Sequence, residues 1–476
     1  MSKRPPARPP SPKKAPSAPR RDLLARTLAS HVRQAHGQGS ATTLDMSEEM
    51  GAPRGYVPTN NVALERALGT PGIPLGRITE ISGWAGAGKS TMLDQIFAAT
   101  QAQGGIGVLA DTERARNRSY MAALGVMPES LVWIAAHTVE GMFDEVETLV
   151  RTVAHLNATA WADALARAGV KVPKLATYKY LVFDPSNPSK NAKPVASYDF
   201  AQWGRAQAAV LLDWQKGEGL RPSSIRDAAS RKLLEPVVIH TDDNSERAAA
   251  LADYRSGREN ELVQAADRPV VIGWDSVAGT ATEAELEGAS RDVHPATAAR
   301  VIRRNLRRLV QLIDDEAIGM ILVNQRYEKI AMGGRVQYGK TSETYGGGGI
   351  KYHTTIRVEV DKCGDIFAPG KSRQSGHPPI GQEVRIKTPK NKLNDPFRTE
   401  RYGLLFGQGA SDAWAIHEDL KERGIIRVGG GWSRFTDTGL MGDDDRGFRG
   451  WSELAEIMSD NSTLASTLCE IYREGR

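Results

Sequence analysis

The sequence predicts an α/β protein built on a doubly wound, mostly parallel sheet. Three observations carry that expectation. Short apolar runs ending in a carboxylate, Ile106 to Asp111 and Val270 to Asp275, alternate with longer segments of helical apolar spacing. A glycine-rich turn, Gly83 to Ser90, stands between a strand-like run and a helix-like one. Gly104 and Gly105 then close that helix before the next strand-like run.

From the amino terminus, residues 1–21 are proline-rich and basic, with Lys3, Arg4, Arg8, Lys13, Lys14, Arg20 and Arg21 and no acid. Such a segment buries too little apolar surface to fold. It reads as a disordered tail, either an arm that touches nucleic acid or plain solvated chain. Residues 22–57 read as a helix and linker, with Leu24, Leu28 and Val32 on one face. A helix this short is marginal alone and needs a packing partner. The core is expected over 58–400, with strands near 76–82, 106–110, 270–274 and 320–324 and helices near 91–103, 139–155 and 296–313. Within it, 157–267 is too long for one structureless loop and reads as an inserted subdomain without a legible role. Further strands are expected near 384–387 and 402–406, and helices near 411–423 and 452–459. Residues 401–476 are expected to form a smaller carboxyl-terminal α/β domain.

The chain has 476 residues, 40% apolar and 25% charged, with a net charge of +5. That balance is typical of soluble proteins and compatible with a polyanionic partner. No apolar run reaches membrane-spanning length, and the amino-terminal residues do not read as the apolar stretch of a secretion signal. Cys363 and Cys469 are too few for a disulfide framework or a thiol-rich metal site, and read as ordinary thiols in a reducing compartment.

Gly83-Trp84-Ala85-Gly86-Ala87-Gly88-Lys89-Ser90 has the Walker A pattern, placed after a strand and before a helix as that motif requires. Glycines let the backbone wrap phosphate, and the amides and helix dipole favour the anion. Lys89 is expected on the β and γ phosphates, and Ser90, with Thr91 behind it, on Mg2+. Asp275, at the end of an apolar strand, suits the second carboxylate of the metal site. Glu113, just beyond another strand end, is either the base for an attacking water or a surface salt-bridge acid.

Two long polar segments, 279–297 and 326–349, read as mobile loops beside that site, the second holding Lys329, Arg335, Lys340 and four consecutive glycines. The helix over 296–313 carries Arg300, Arg303, Arg304, Arg307 and Arg308 without an acid among them, opposite Val301, Ile302, Leu306, Leu309 and Val310. Such a stripe is either a solvated face or a phosphate-binding one, and the lack of acids favours phosphate.

These residues together resemble the bacterial RecA recombinases. The resemblance rests on Gly72 to Ile81 running into the phosphate loop, on Asp111-Thr112-Glu113-Arg114-Ala115, and on Asp275-Ser276-Val277-Ala278 with Glu285-Leu286-Glu287-Gly288. Asn324-Gln325, Gly348 to Tyr352, and Lys390-Asn391-Lys392 followed by Pro396-Phe397 continue it in the family's order. It covers the chain from about residue 22, apart from 157–267. It implies a RecA-type nucleoside-triphosphatase core and a recombinase that uses ATP and Mg2+, forms helical filaments on single-stranded DNA and pairs them with homologous duplex DNA. The setting it implies is the cytoplasm, at the nucleoid, with no membrane partner.

By resemblance, Glu113 is the catalytic glutamate and Gln325 the sensor of the γ phosphate. Tyr120 is the aromatic that stacks on adenine, and Asn117 stands where the family has an aspartate. Lys390 and Lys392 are the pair that reaches a neighbour's nucleotide. Lys351 and Tyr352 belong to the subunit interface. Arg300, Arg307, Lys329 and Ile330 belong to the DNA-binding surface, Ile330 as a wedge between bases, while Pro295 stands where a methionine is frequent. The helix at 22–36 implies a polymerisation helix. Gly431-Trp432 and Trp451 imply a domain that gathers duplex DNA. Two other readings share the core: a hexameric helicase-type motor, and a DNA-coating protein without catalysis.

Overall fold

The computed structural model describes residues 52–150, 153, 180–182, 196–198, 225–227, 268–287, 295–314, 316, 318–328, 342–436 and 447–475. The basic tail, the helix expected at 22–36 and most of 157–267 lie outside them. The chain divides into two units, one made of residues 53–157 and 257–476 and the other holding residues 158–256. In the second, Tyr180–Val182 pairs antiparallel with both Ala196–Tyr198 and Ile225–Asp227.

The first unit is built on a ten-stranded sheet. Its strands are β1 Ile78–Gly83, β2 Ile106–Asp111, β3 Leu131–Ile134, β4 Val270–Asp275, β5 Ile318–Glu328, β6 Ser342–Thr344, β7 Ile356–Ile366, β8 Gly381–Asn391, β9 Thr399–Leu405 and β10 Gly409–Ser411. They lie in the order β10-β9-β8-β7-β1-β5-β4-β2-β3, with β6 paired to β5 off this path. From β7 to β3 every pairing is parallel, and from β7 to β10 every pairing is antiparallel. The doubly wound, mostly parallel α/β expectation therefore holds.

β1 and β4 are buried at every residue, as strands covered on both faces must be. One face packs against α1 Val62–Leu68, α2 Lys89–Ala102 and the carboxyl-terminal helices α7 Asp412–Glu422, α8 Gly450–Asp460 and α9 Ser462–Glu474. The other packs against α4, over 139–150, and α5 Pro295–Asp314, through Met142, Phe143, Ile302 and Leu306. Phe143 meets Trp274 edge-on with ring centres 5.4 Å apart. α5 starts on a proline, whose fixed φ suits a first helical position. The unit also holds the short helices α3 Arg118–Ala123 and α6 Gly347–His353, and a short helix at Glu283–Glu287 inside the segment expected as a mobile loop.

Three expectations change. β5 does not stop at Asn324 but runs to Glu328, because β6 returns beside it and pairs Arg326 with Thr344 and Glu328 with Ser342. The glycine run expected in a mobile loop instead caps and opens α6. Gly346 takes φ +81 at the cap, and a Cβ on Gly349 would stand 2.9 Å from Cβ of Arg303, so glycine is what lets α6 close on α5. The boundary expected between residues 400 and 401 falls inside β9, which pairs with β8 in the main sheet. Among the described residues no helix is long and apolar enough to cross a membrane.

Phe97 of α2 is fully buried over glycines of two strands: a Cβ on Gly273 would lie 2.8 Å from its Cζ and one on Gly107 3.0 Å from its Cδ1. Phe97→Ala is expected to lower the unfolding free energy by about 3–5 kcal/mol through the cavity it leaves. Gly273→Ala, which overpacks the same spot, is expected to cost about 1–3 kcal/mol. Urea unfolding of both variants checks the pair.

Candidate active site

β1 carries the chain to the carboxyl edge of the sheet and ends at Gly83. There a Cβ would stand 2.2 Å from the Val360 carbonyl oxygen of β7, so only glycine fits. The chain then turns through Gly86 and Gly88, at φ +72 and +92, and Gly88 is the cap residue of α2. A 14-residue helix therefore points its amino end at the loop, with no acid in its first turn. Ala85 and Gly86 are exposed, and a Cβ on Gly86 would face open space, so the outer side of the loop is free for a ligand. Ala87 is buried beneath it. Gln382 of β8 steadies the loop from below, its Nε2 donating to Gly86 O at 2.9 Å. Lys89 is only 8% exposed, and its Nζ folds back to donate to Trp84 O at 2.8 Å. Burial lowers the Lys89 pKa, against the pull of Asp275 and Glu113. Trp84, 37% exposed, holds the Arg326 guanidinium 5.6 Å from its ring centre.

Ser90 and Asp275 meet as expected: Ser90 Oγ donates to Asp275 Oδ2 at 2.7 Å. Burial pushes the Asp275 carboxyl above its usual range, opposed by Arg116 and by this hydrogen bond. Glu113 lies beyond β2, where its Oε1 accepts from Ser276 Oγ at 2.6 Å and from Gln325 Nε2 at 2.7 Å. It is thus tied to the residue after Asp275 and to Gln325 of β5, rather than engaged as a surface salt-bridge acid. Thr112 braces the same corner, donating from Oγ1 to Ser276 O at 2.9 Å. Tyr120 on α3 reaches the site, its hydroxyl 3.4 Å from Thr91 Oγ1. Asn117 caps α3, its Oδ1 accepting from Tyr120 N at 3.1 Å, so its side chain is already engaged.

Three groups here escaped sequence reading. Ser276 holds Glu113, as above. Arg116 places its guanidinium between Asp275, 2.7 Å from Nη2, and Asp94 of α2. Asp94 is 2% exposed, and burial pushes its carboxyl up to about 6 against the pull of Arg116. Its signal in the sequence is an acid one turn after Ser90, inside the buried stretch Met92 to Phe97.

Other expected site residues gather elsewhere. Lys390 on β8 donates from Nζ to Lys351 O and Tyr352 O, at 2.5 and 3.3 Å. Tyr352 is 73% exposed and Lys392 is exposed. Lys390 pairs with Arg357, and Arg357 with Glu80, three residues before the loop begins at Gly83. That is about 10 Å of strand short of the carboxyl edge, so these lysines are not brought to their own phosphate loop. His353 of α6 lies in the field of these lysines and of the α5 arginines. Its pKa is lowered by burial and by the surrounding Arg307, Arg303, Lys390 and Lys392. Arg300 and Arg307 are exposed on α5, while Arg308 is spent on an ion pair with Glu147 at 2.7 Å. Lys329 and Ile330 lie outside the described residues.

The donors suit a nucleoside triphosphate with a hard cation. The loop offers glycine backbone and one ammonium, and Ser90 and Asp275 offer a hydroxyl and a carboxylate oxygen. Among the described residues no group of three or more His, Cys, Asp or Glu could hold a metal ion, so a cation at Ser90 and Asp275 would take its other ligands from phosphate and water.

The RecA N-terminal domain pattern matches residues 23–157 and 234–411, more than half of the chain. Its gap, 158–233, falls inside the expected insertion and is shorter than it. The chain is 25% identical over 420 residues to the protein RecA of Mycobacterium sp. (strain KMS), covering 88% of this chain and 84% of that one. It is 22% identical over 450 residues to RecA of Bifidobacterium longum (strain NCC 2705), covering 94% and 80%. It is 24% identical over 458 residues to RecA of Arthrobacter sp. (strain FB24), covering 96% and 92%.

A Cβ on Gly88 would lie 2.5 Å from Leu404 Cδ2, at a φ that disfavours side chains. Gly88→Ala is therefore expected to cost about 1–3 kcal/mol of stability, read as a fall in thermal unfolding midpoint.

Proposed function

This chain belongs to the RecA family, and from that premise we propose that it is a DNA-dependent ATPase that polymerises on single-stranded DNA and exchanges strands with homologous duplex, in the cytoplasm at the nucleoid. The observation that carries the proposal is the convergence of Lys89, Ser90, Asp275, Glu113 and Gln325 at one edge of the sheet.

In this reading Lys89 leaves the Trp84 carbonyl to hold the β and γ phosphates of ATP. Gly83 to Thr91 cradle the chain of phosphates, and Tyr120 lies against the base. Ser90 and Asp275 would hold Mg2+, whose charge would offset that of the phosphates. Glu113 orients the attacking water and takes its proton as the oxygen bonds to the γ phosphorus and ADP leaves. Gln325 is donating to Glu113. Turning that amide to the γ phosphate would free Glu113 and shift the end of β5, which leads into 329–341, where Lys329 and Ile330 belong to the DNA-binding segment. An amide suits this exchange because it donates without adding charge.

Filament formation is supported by the place of Lys390 and Lys392. They stand with Lys351, Tyr352 and Arg307 on one basic surface, away from their own loop. Such cations can serve a neighbour's triphosphate, so hydrolysis would need assembly. Exposed Arg300 and Arg307 on α5 would bind DNA phosphates.

Lys89→Ala is expected to abolish binding of ATP. Glu113→Gln is expected to keep binding while turnover stimulated by single-stranded DNA falls by about 10²–10⁴-fold. Electron microscopy with a non-hydrolysable ATP analogue and single-stranded DNA is expected to show helical filaments. Rings would favour the motor reading, and a wild-type chain without ATPase activity would sink the enzyme.

Burial, with Lys392 and Arg357 nearby, lowers the Lys390 pKa from 10.5 to about 8, so in the free protomer its charge is present below that pH and lost above it. A neighbour's phosphate favours the charged form, so assembly is expected to take up a proton there. The ATP concentration needed for assembly, measured by light scattering, is expected to rise between about pH 8 and 9.5. Lys390→Arg, charged throughout, is expected to remove that rise.

A further inference from the structure

Arg116 has no part in the mechanism above, yet its guanidinium lies at the metal end of the site. Nη2 donates to Asp275 Oδ2 at 2.7 Å, the oxygen that also accepts from Ser90 Oγ at 2.7 Å. Nη1 donates to Ser90 O at 2.9 Å and to Asp94 Oδ1. Asp94 follows Ser90 by four residues on α2, so both reach the same side of the helix. The backbone N–H of Arg116 donates to Asp111 Oδ2 at 3.2 Å and fixes the segment at the end of β2. The Arg116 side chain is 11% exposed and that of Asp94 2%. A buried acid–base pair adds little net stability, because desolvation offsets its attraction. What it does is hold one cation in one place.

We propose that Arg116, anchored by Asp94, is a resident cation of the metal site. It is a positioning residue that occupies the Asp275 oxygen and makes loading of a divalent cation conditional on the triphosphate arriving with it. The inference rests on the nucleotide reading given above. A guanidinium in a protein stays charged, so a metal held by Ser90 and Asp275 sits against a like charge only a few ångströms away. It must also share or displace the hydrogen bond on Oδ2. The negative charge of a triphosphate offsets both cations. Without it, Asp275 is already satisfied and the metal is repelled. The pair therefore raises the Mg2+ concentration that nucleotide binding requires.

The test is a Mg2+ titration of the full chain, read by fluorescence anisotropy of a fluorescent, non-hydrolysable ATP analogue. Single apolar substitutions would leave one buried charge unpaired and are expected to lower stability. The informative variant is Asp94→Leu with Arg116→Leu, which replaces the pair by apolar side chains. Asp94→Asn with Arg116→Gln, which keeps hydrogen bonding without charge, serves if the first does not fold. In either, half-maximal binding is expected at roughly tenfold lower Mg2+ than in the wild type. An unchanged or raised Mg2+ midpoint overturns the inference, even where the unfolding temperature moves, since that combination describes a merely structural pair. A wild-type chain that binds no analogue at any Mg2+ concentration overturns the nucleotide reading and this inference with it.

Discussion

The hydrogen bond from Ser90 Oγ to Asp275 Oδ2 is the contact on which the rest of the site depends. It joins the first turn of α2 to the end of β4 across the intervening β5. It can form because β1 and β4 end within two residues of each other along β5, at Gln325 and Val323. Ser82 lies beside Asn324 in one pairing, and Asp275 beside Val323 in the next. Both faces of these strands are buried, so a slip of one residue would turn every side chain to the other face. Packing thus sets the register, and the register sets where the serine hydroxyl meets the carboxylate. Parallel strands that end together leave their carboxyl edge as the natural crevice.

Around that contact each polar group has found a partner within the protein. Lys89 is on a loop carbonyl, Gln325 on Glu113, and Ser90 and Arg116 on Asp275. A ligand therefore exchanges hydrogen bonds rather than adding them to empty groups, and the net free energy of each exchange is small. Small differences suit a site that must open and close, because neither state is strongly favoured by any one bond. In the proposed mechanism the exchange at Gln325 is the one with reach, since β5 continues beyond it to Glu328.

Local pattern made much of this legible. The glycines of the loop, the strand ending at Asp275 and the apolar face of α5 follow from short-range geometry, and the structure has them at the expected places. Glu113 was ambiguous because its partners, Ser276 and Gln325, are distant in the chain. Arg116 and Asp94 were illegible for the same reason: each reads as a charged residue until the fold brings 94, 116 and 275 together. The glycine run before α6 misled because glycine has two uses. It loosens chains, and it also permits close packing, and only the neighbouring Arg303 decides which applies. α9 has no counterpart among the expected elements, although Asn461 caps it and Leu464, Leu468 and Tyr472 form its buried face.

The antiparallel half of the sheet gives the molecule its second functional direction. β7 leaves β1 in parallel, but β8 returns against it, so Lys390 ends up level with Glu80 rather than with the loop. A side chain on a returning strand is carried to the opposite end from the one where β1 delivers its glycines. The same chain therefore presents phosphate-binding backbone at one edge and a cluster of cations, with exposed Tyr352, toward the other. In the proposed filament, two copies arranged head to tail would bring the loop of one to the cations of the next without altering either.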